Sequence, residues 1–314
     1  MVYGGLPATQ YGFFIAYLNV PSYVASSAAT FAGLPWSFKI FFALATDAFP
    51  CGGYRRRPYM IGGWAVAFIF LVALALYPIP DPYYCMGDNG KYNMTEVCNE
   101  DAAMSGMPYA VLMMFVACGY VQADVAADAL TVTYARREPT SGRGKTQTTA
   151  YLVRELGMIA AQLLVGLGMN GYEYNGTFEY ALSFNAICGI LAIPAALMVP
   201  ISWYLVEEPK IGGSSPAEPT RGNKGTTFAP PLSKPAAPSS TADADADAPH
   251  ALEEEPEAWT LRSYAATAWH LLSSAALFEV ACYLFLTSAI GGIGTTAGNE
   301  VMRVWADVEN LTNQ

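Results

Sequence analysis

Leu34-Pro35-Trp36-Ser37-Phe38-Lys39, an apolar run to Asp47-Ala48-Phe49-Pro50, and then Gly52-Gly53-Tyr54-Arg55-Arg56-Arg57-Pro58-Tyr59 is the stretch on which the fold turns. Three adjacent guanidiniums are too costly to place in hydrocarbon, and they mark the cytoplasmic side of a membrane protein. Gly and Pro shape a short turn between two apolar runs. The stretch is a membrane helix ending in a basic cytoplasmic turn, so it sets both topology and orientation.

Composition agrees with that assignment. Hydrophobic residues make up 53% of the 314 and charged residues only 13%, about half the charged share of a soluble domain. The mean hydropathy of +0.26 is moderate because one long polar segment dilutes it. The formal net charge of −10 collects in outer loops and that segment. So uneven a charge says little about nucleic acid, for which a basic face would be expected, and no nucleic-acid partner is expected.

Outward from the opening stretch, hydropathy predicts seven helices, near residues 3 to 19, 22 to 49, 59 to 78, 108 to 134, 147 to 169, 181 to 206 and 263 to 290. The first is short, and the chain reads as beginning partway into it, without a cleavable signal peptide. The connections alternate in charge. Arg55 to Arg57, Arg136, Arg137, Arg143 and Lys145 fall on one side, and Asp81, Asp88, Glu96, Glu100 and Asp101 on the other. Three sequons, at Asn93, Asn175 and Asn310, land on the acidic side and are candidate glycosylation sites. Cys118, Cys188 and Cys282 lie in apolar runs and Cys51 in the basic turn. Cys85 and Cys98 therefore remain as a candidate disulfide sharing one polar loop, if that loop faces an oxidising compartment. Residues 208 to 258 are rich in Pro, Ala, Ser and Thr, with Asp243 to Asp247 and Glu253 to Glu255 adding charge. Such a segment is expected to be a disordered cytoplasmic linker. The organisation is thus a six-helix bundle over 1–207, a linker over 208–258, and one further helix with an outer segment over 259–314.

Charges within the apolar helices are the most informative residues, because each costs roughly 2.5 to 3.5 kcal/mol at bilayer depth unless paired or hydrated. Lys39, Asp124, Asp128, Arg154, Glu155 and Glu279 are so placed. Asp124 and Asp128 are one turn apart on one face. At about 1.5 Å of rise per residue, Lys39 and Asp124 match in depth, as do Asp128 and Arg154. This predicts two ion pairs, Lys39 with Asp124 and Asp128 with Arg154. Either they line a cavity where an anion and a proton are handled, or they are static pairs that lock the bundle. Trp36 and Tyr59 read as packing or interfacial residues, and Tyr151 and Asn185 as polar contacts between helices.

The opening stretch also carries a resemblance. An acid closing the second helix, then glycine and paired arginines, resembles the signature loop of the major facilitator superfamily. The fuller pattern of Pro35, Trp36, Lys39, Asp47, Pro50, Gly53, Arg55, Arg56, Pro58 and Tyr59 is similar to the folate-biopterin transporter family within it. Ala43 stands where the general pattern prefers glycine, and the turn is longer, which favours that variant. Ala123-Asp124-Val125 with Asp128-Ala129-Leu130 resembles the family's fourth-helix motif. The resemblance implies an all-α polytopic bundle and proton-coupled secondary transport of folate, biopterin or a related small molecule across a bilayer of the plasma membrane or an organelle. It further implies an inner gate formed by Asp47, Gly53, Arg55 and Arg56, and a substrate and proton site at Lys39, Asp124, Asp128 and Arg154. By this resemblance the chain holds most of one six-helix half and one helix of the next, which supplies one wall of a site that two halves share. Transport by these residues alone is not expected.

Other motifs do not support an enzyme. Gly142-Arg143-Gly144-Lys145-Thr146 imitates the end of a phosphate-binding loop, but Pro139 replaces its opening glycine and no soluble strand precedes it. His250 and His270 stand apart, so neither a metal site nor a catalytic triad is expected, and no cofactor. Gly157 with Ala161 and Gly166 with Asn170 are small-residue spacings suited to close helix packing. The alternatives are a transporter of another organic anion or amino acid, and a non-transporting scaffold or regulatory half-transporter.

Overall fold

The computed structural model describes residues 1–87, 92–139, 142, 144–208 and 210, and isolated positions between 269 and 287. Asp88, Arg143 and Asn310 lie outside the described residues, as do nearly all of the predicted linker and seventh helix. Among the described residues the chain is a helical bundle with five helices long and apolar enough to cross a membrane.

The chain starts with α1 (Val2–Gln10), continued by a π-helical stretch, Tyr11–Tyr17. Asn19 then takes a left-handed conformation, φ 52°, and α2 (Ser22–Ser37) begins. A single helix is expected over 22 to 49, but it is broken: α3 (Lys39–Ala48) follows after Phe38, which has φ −94° and ψ 9°. Pro35 removes one donor from the helical ladder, and the Phe38 amide donates to the Pro35 carbonyl at 3.1 Å in a tightened turn before the helix resumes. Both pieces form one membrane span, Ser22–Ala48.

Gly52 and Gly53 make the turn to α4 (Arg57–Leu76). Cys51 and Tyr54 exchange backbone hydrogen bonds of 2.9 and 3.1 Å, and the two glycines between them have φ 64° and 82°. Two successive positive φ values are the signature of a tight mirror-image turn, which glycine enters without a Cβ penalty. The remaining helices are α5 (Gly106–Ala135), α6 (Lys145–Gly168) and α7 (Phe184–Tyr204). α4 lies between α5 and α7, α2 packs on α5, and α6 packs chiefly on α1.

The packing between α4 and α5 is backbone to backbone. A Cβ placed on Gly63 would lie 2.6 Å from the Gly119 carbonyl oxygen and 2.7 Å from the Ala123 amide nitrogen. Gly63-x3-Ala67 on α4 thus meshes with Gly119-x3-Ala123 on α5, the small-residue contact that lets membrane helices gain dispersion energy at close range. Towards the other end the core turns aromatic, with Phe13 stacked on Phe184 at 4.1 Å and Tyr109 edge-on to Phe13 at 4.8 Å.

Over the far end lies a two-stranded hairpin absent from the helical expectation, β1 (Tyr84–Met86) and β2 (Tyr92–Val97). Cys85 and Cys98 are disulfide-bonded, with Cα atoms 5.0 Å apart. The Tyr83 amide donates to the Tyr17 carbonyl at 3.2 Å, and the Tyr92 hydroxyl donates to the Glu173 carbonyl. The first bond ties the α4–α5 connection to the end of the π-helical stretch, and the second ties it to the α6–α7 connection. Burial pushes the Tyr92 and Tyr174 phenols above their ordinary range.

Candidate functional site

Lys39 is the first residue of α3, and Asp124 and Asp128 sit one turn apart on α5 facing it. The ammonium lies 3.0 Å from Asp124 Oδ2 and 2.9 Å from Asp128 Oδ2. Arg154 of α6 approaches from the other side, its Nη2 donating to Asp124 Oδ1 at 2.6 Å and to Asp128 Oδ1 at 2.9 Å. The four groups make a closed ring rather than the two separate pairs that depth matching predicts. Carboxylates four residues apart on a helix are neighbours, so one cation between them reaches both. Each carboxylate oxygen holds one contact with a cation.

Aromatic side chains adjoin the ring. Lys39 Nζ stands 5.0 Å from the centre of the Trp36 ring, and Arg154 5.2 Å from that of Tyr151. Trp36, Tyr3 and Tyr120 form a mutually touching trio, with centroid separations of 5.1, 6.0 and 6.3 Å. Trp36, expected to serve packing, therefore belongs to the site. Its indole N–H donates to the Tyr120 hydroxyl at 3.4 Å. A cavity of about 500 Å³ opens beside these residues, with Asp124 and Arg154 in its wall together with Tyr3, Trp36, Trp64 and Tyr120. That volume and the mixture of mainly apolar walls with few polar groups are those of a small-molecule pocket.

At the basic end, Arg56 carries most of the contacts. Its Nη1 donates to the Ala129 carbonyl at 2.8 Å and to the Thr133 hydroxyl at 2.9 Å, and its Nη2 lies 3.4 Å from Asp47 Oδ1. Arg55 enters through its backbone amide, which donates to Glu208 at 3.1 Å. Gly53 contributes its positive φ to the turn. Glu208, just beyond α7, is an unexpected member. Its carboxylate accepts the amides of Arg55, Arg56 and Arg57 at 2.9 to 3.1 Å, at the start of α4. An anion there satisfies unpaired helix N-terminal donors and opposes the helix dipole favourably. Glu208 falls within the stretch predicted as free linker, and a lone acid at the edge of a polar tract carries no mark that distinguishes it. Arg57 packs over Tyr54 at 5.2 Å and Trp203 at 5.4 Å.

Among the other expected residues, Tyr59 donates to the Phe49 carbonyl at 2.6 Å, and Asn185 donates to the Ala75 and Tyr77 carbonyls at 2.8 Å. Asn93 lies in β2, paired with Cys85, and Asn175 occupies the turn after Tyr172–Tyr174 with φ 59°. Glu155 is exposed.

Residues 5–83 match the model of the BT1 family. The chain is also similar to probable folate-biopterin transporter 4 of Arabidopsis thaliana, 22% identical over 168 residues, which is 53% of this chain and 29% of that protein. The chain thus aligns with under a third of the length of the curated relative it matches. No solved structure matches.

Proposed function

We propose that this chain, a multi-pass helical membrane protein whose residues 5–83 match the BT1 family, forms one half of a proton-coupled secondary transporter for folate- or pterin-like anions. A transporter role has the support of the family match and of the relative's name. The observation that carries the substrate class is the cavity whose charged wall, Asp124 and Arg154, stands beside the Tyr3, Trp36 and Tyr120 rings. A pterin is a flat, polar aromatic ring, suited to stacking on such a wall, and a folate adds a carboxylate for Arg154 to hold. In the superfamily that the sequence resembles, two six-helix halves enclose the substrate near the bilayer midplane, and this bundle supplies one of them. Asp47, Gly53, Arg55 and Arg56 act as the inner gate in this scheme, with Glu208 anchoring the turn.

The test is saturable binding of labelled folate and biopterin to the protein in lipid nanodiscs. Pterin-competed binding, weakened at least about tenfold by Lys39→Ala or Trp36→Ala, is expected; the loss corresponds to about 1.4 kcal/mol or more. Nanodiscs that bind no pterin, or bind it equally after both substitutions, overturn the assignment.

A further inference from the structure

The ring around Asp124 is balanced: two cations face two carboxylates, and all four carboxylate oxygens are engaged. Its cations are not saturated. Arg154 reaches both carboxylates through Nη2 alone, so Nη1 and Nε have no hydrogen-bond partner among the described residues, and Lys39 uses two of its three protons. The ring is also asymmetric towards the cavity. Asp124 and Arg154 line it, whereas Lys39 and Asp128 do not. An anion arriving in the cavity meets the Asp124–Arg154 edge first.

We propose that this edge exchanges partners one for one: a ligand carboxylate takes Arg154, and the Asp124 carboxylate it displaces takes one proton. This rests on the assignment of an organic-anion substrate and adds a stoichiometry, a binding order and a named proton carrier. The proton comes from a hydronium ion in the water of the cavity: one O–H bond of that ion breaks as one O–H bond forms on Asp124, and neutral water is left. Before the exchange two cations balance Asp124 and Asp128. Afterwards they balance Asp128 and the ligand, so the net charge of the site is unchanged. A second anion without the proton would leave one uncompensated charge at bilayer depth, which costs several kcal/mol.

Asp124 is the carrier because its side chain is 17% exposed, against 31% for Asp128, so it is the less hydrated carboxylate once a cation leaves. The other titratable groups around it are Lys39 of α3, Arg154 and Tyr151 of α6, Tyr120 on its own helix, and Tyr3 with the Met1 amino group on α1. α4 and α7 bring only Met60, Trp64, Pro194 and Met198 to the cavity. With Asp128 staying on Lys39, Asp124 is left as the proton acceptor.

Two measurements decide the matter. Calorimetry of 6-carboxypterin binding in nanodiscs, in buffers of different ionisation enthalpy, counts protons taken up per ligand. One proton is expected for wild type, and none for Asp124→Asn, for Asp128→Asn, in which Lys39 and Arg154 are already balanced by Asp124 and the ligand, or when wild type binds uncharged pterin. Infrared difference spectroscopy without ligand asks the same of the ring itself. Arg154→Met should show the carbonyl stretch of a protonated carboxyl group, absent from wild type and absent again in Arg154→Met with Asp124→Asn. Arg154→Gln serves if the methionine variant does not fold. Binding without proton uptake, or an Arg154 variant with both carboxylates ionised, overturns the exchange and leaves the substrate class standing. A protonated carboxyl in the Arg154 variant with no 6-carboxypterin binding upholds the exchange and overturns the substrate class.

Discussion

Replacing Gly119 by alanine tests whether the α4–α5 contact holds the charged ring in place. The added Cβ would sit 2.5 Å from the Ala67 amide nitrogen and 2.7 Å from the Gly63 carbonyl oxygen, whereas ordinary contact begins at 3.4 Å. The shortfall is 3.4 minus 2.5, about 0.9 Å. Both obstructing atoms are helical backbone, so no side chain can rotate aside and the helices must separate. Overpacking of this kind costs about 1 to 3 kcal/mol. The displacement falls about one and a half turns from Asp124, whose 3.0 Å contact with Lys39 would cease to be a hydrogen bond if stretched by that amount. Gly62→Ala is the matched control, because its Cβ would meet nothing within 4 Å. Alanine there should be neutral or stabilising by up to about 1 kcal/mol through helix propensity. Unfolding of the reconstituted protein in denaturant measures both, and ligand binding reports on the ring. A Gly119→Ala protein as stable as wild type, or a Gly62→Ala protein equally weakened, refutes the close contact.

Three further outcomes follow from the structure. Glu208→Gln removes the carboxylate that holds three amides at the start of α4 and should cost about 1 kcal/mol, read as faster hydrogen exchange at residues 55–60; unchanged exchange rejects the cap. The Thr146 hydroxyl and amide, with the Gly144 and Lys145 amides, hold the Glu138 carboxyl below its ordinary range. Its folded pKa lies under the unfolded one, so the contribution is complete above the unfolded pKa and is lost as pH falls through the folded pKa. Exchange at the start of α6 should therefore accelerate on acidification in wild type but not in Glu138→Gln. For topology, an impermeant thiol reagent on intact cells should label Asn93→Cys and spare the exposed Cys51 until the membrane is opened; the reverse pattern inverts the orientation.

The buried charges were legible because Lys39, Asp124, Asp128 and Arg154 interrupt apolar runs where any charge is costly, and helical rise alone places them at similar depth. Their cross-linking was not legible, since depth says nothing of the lateral position of a helix. The family pattern around Asp47 and Arg56 pointed to the basic turn, yet the bond from Arg56 to the Ala129 carbonyl depends on backbone groups that any sequence possesses. Small-residue spacing is ambiguous for a related reason. A Cβ on Gly157 would meet its neighbours at 3.4 Å or more, whereas the contact that closes α4 on α5 belongs to Gly63 and Gly119. The hairpin over the far end escaped a hydropathy reading because six residues of strand are too short to register as a span.

The break at Phe38 leaves α3 as a separate rod with a charge near each end. Lys39, its first residue, holds two carboxylates, and Asp47, its ninth, faces Arg56. Eight residues of helix separate the two, about 12 Å. With Phe38 as fulcrum, a tilt of about 10° would carry the Asp47 end sideways by roughly 2 Å over that length, more than its 3.4 Å contact with Arg56 tolerates. Were α3 to tilt as one piece, a change in what grips the ammonium at one end would be carried by leverage to the aspartate at the other.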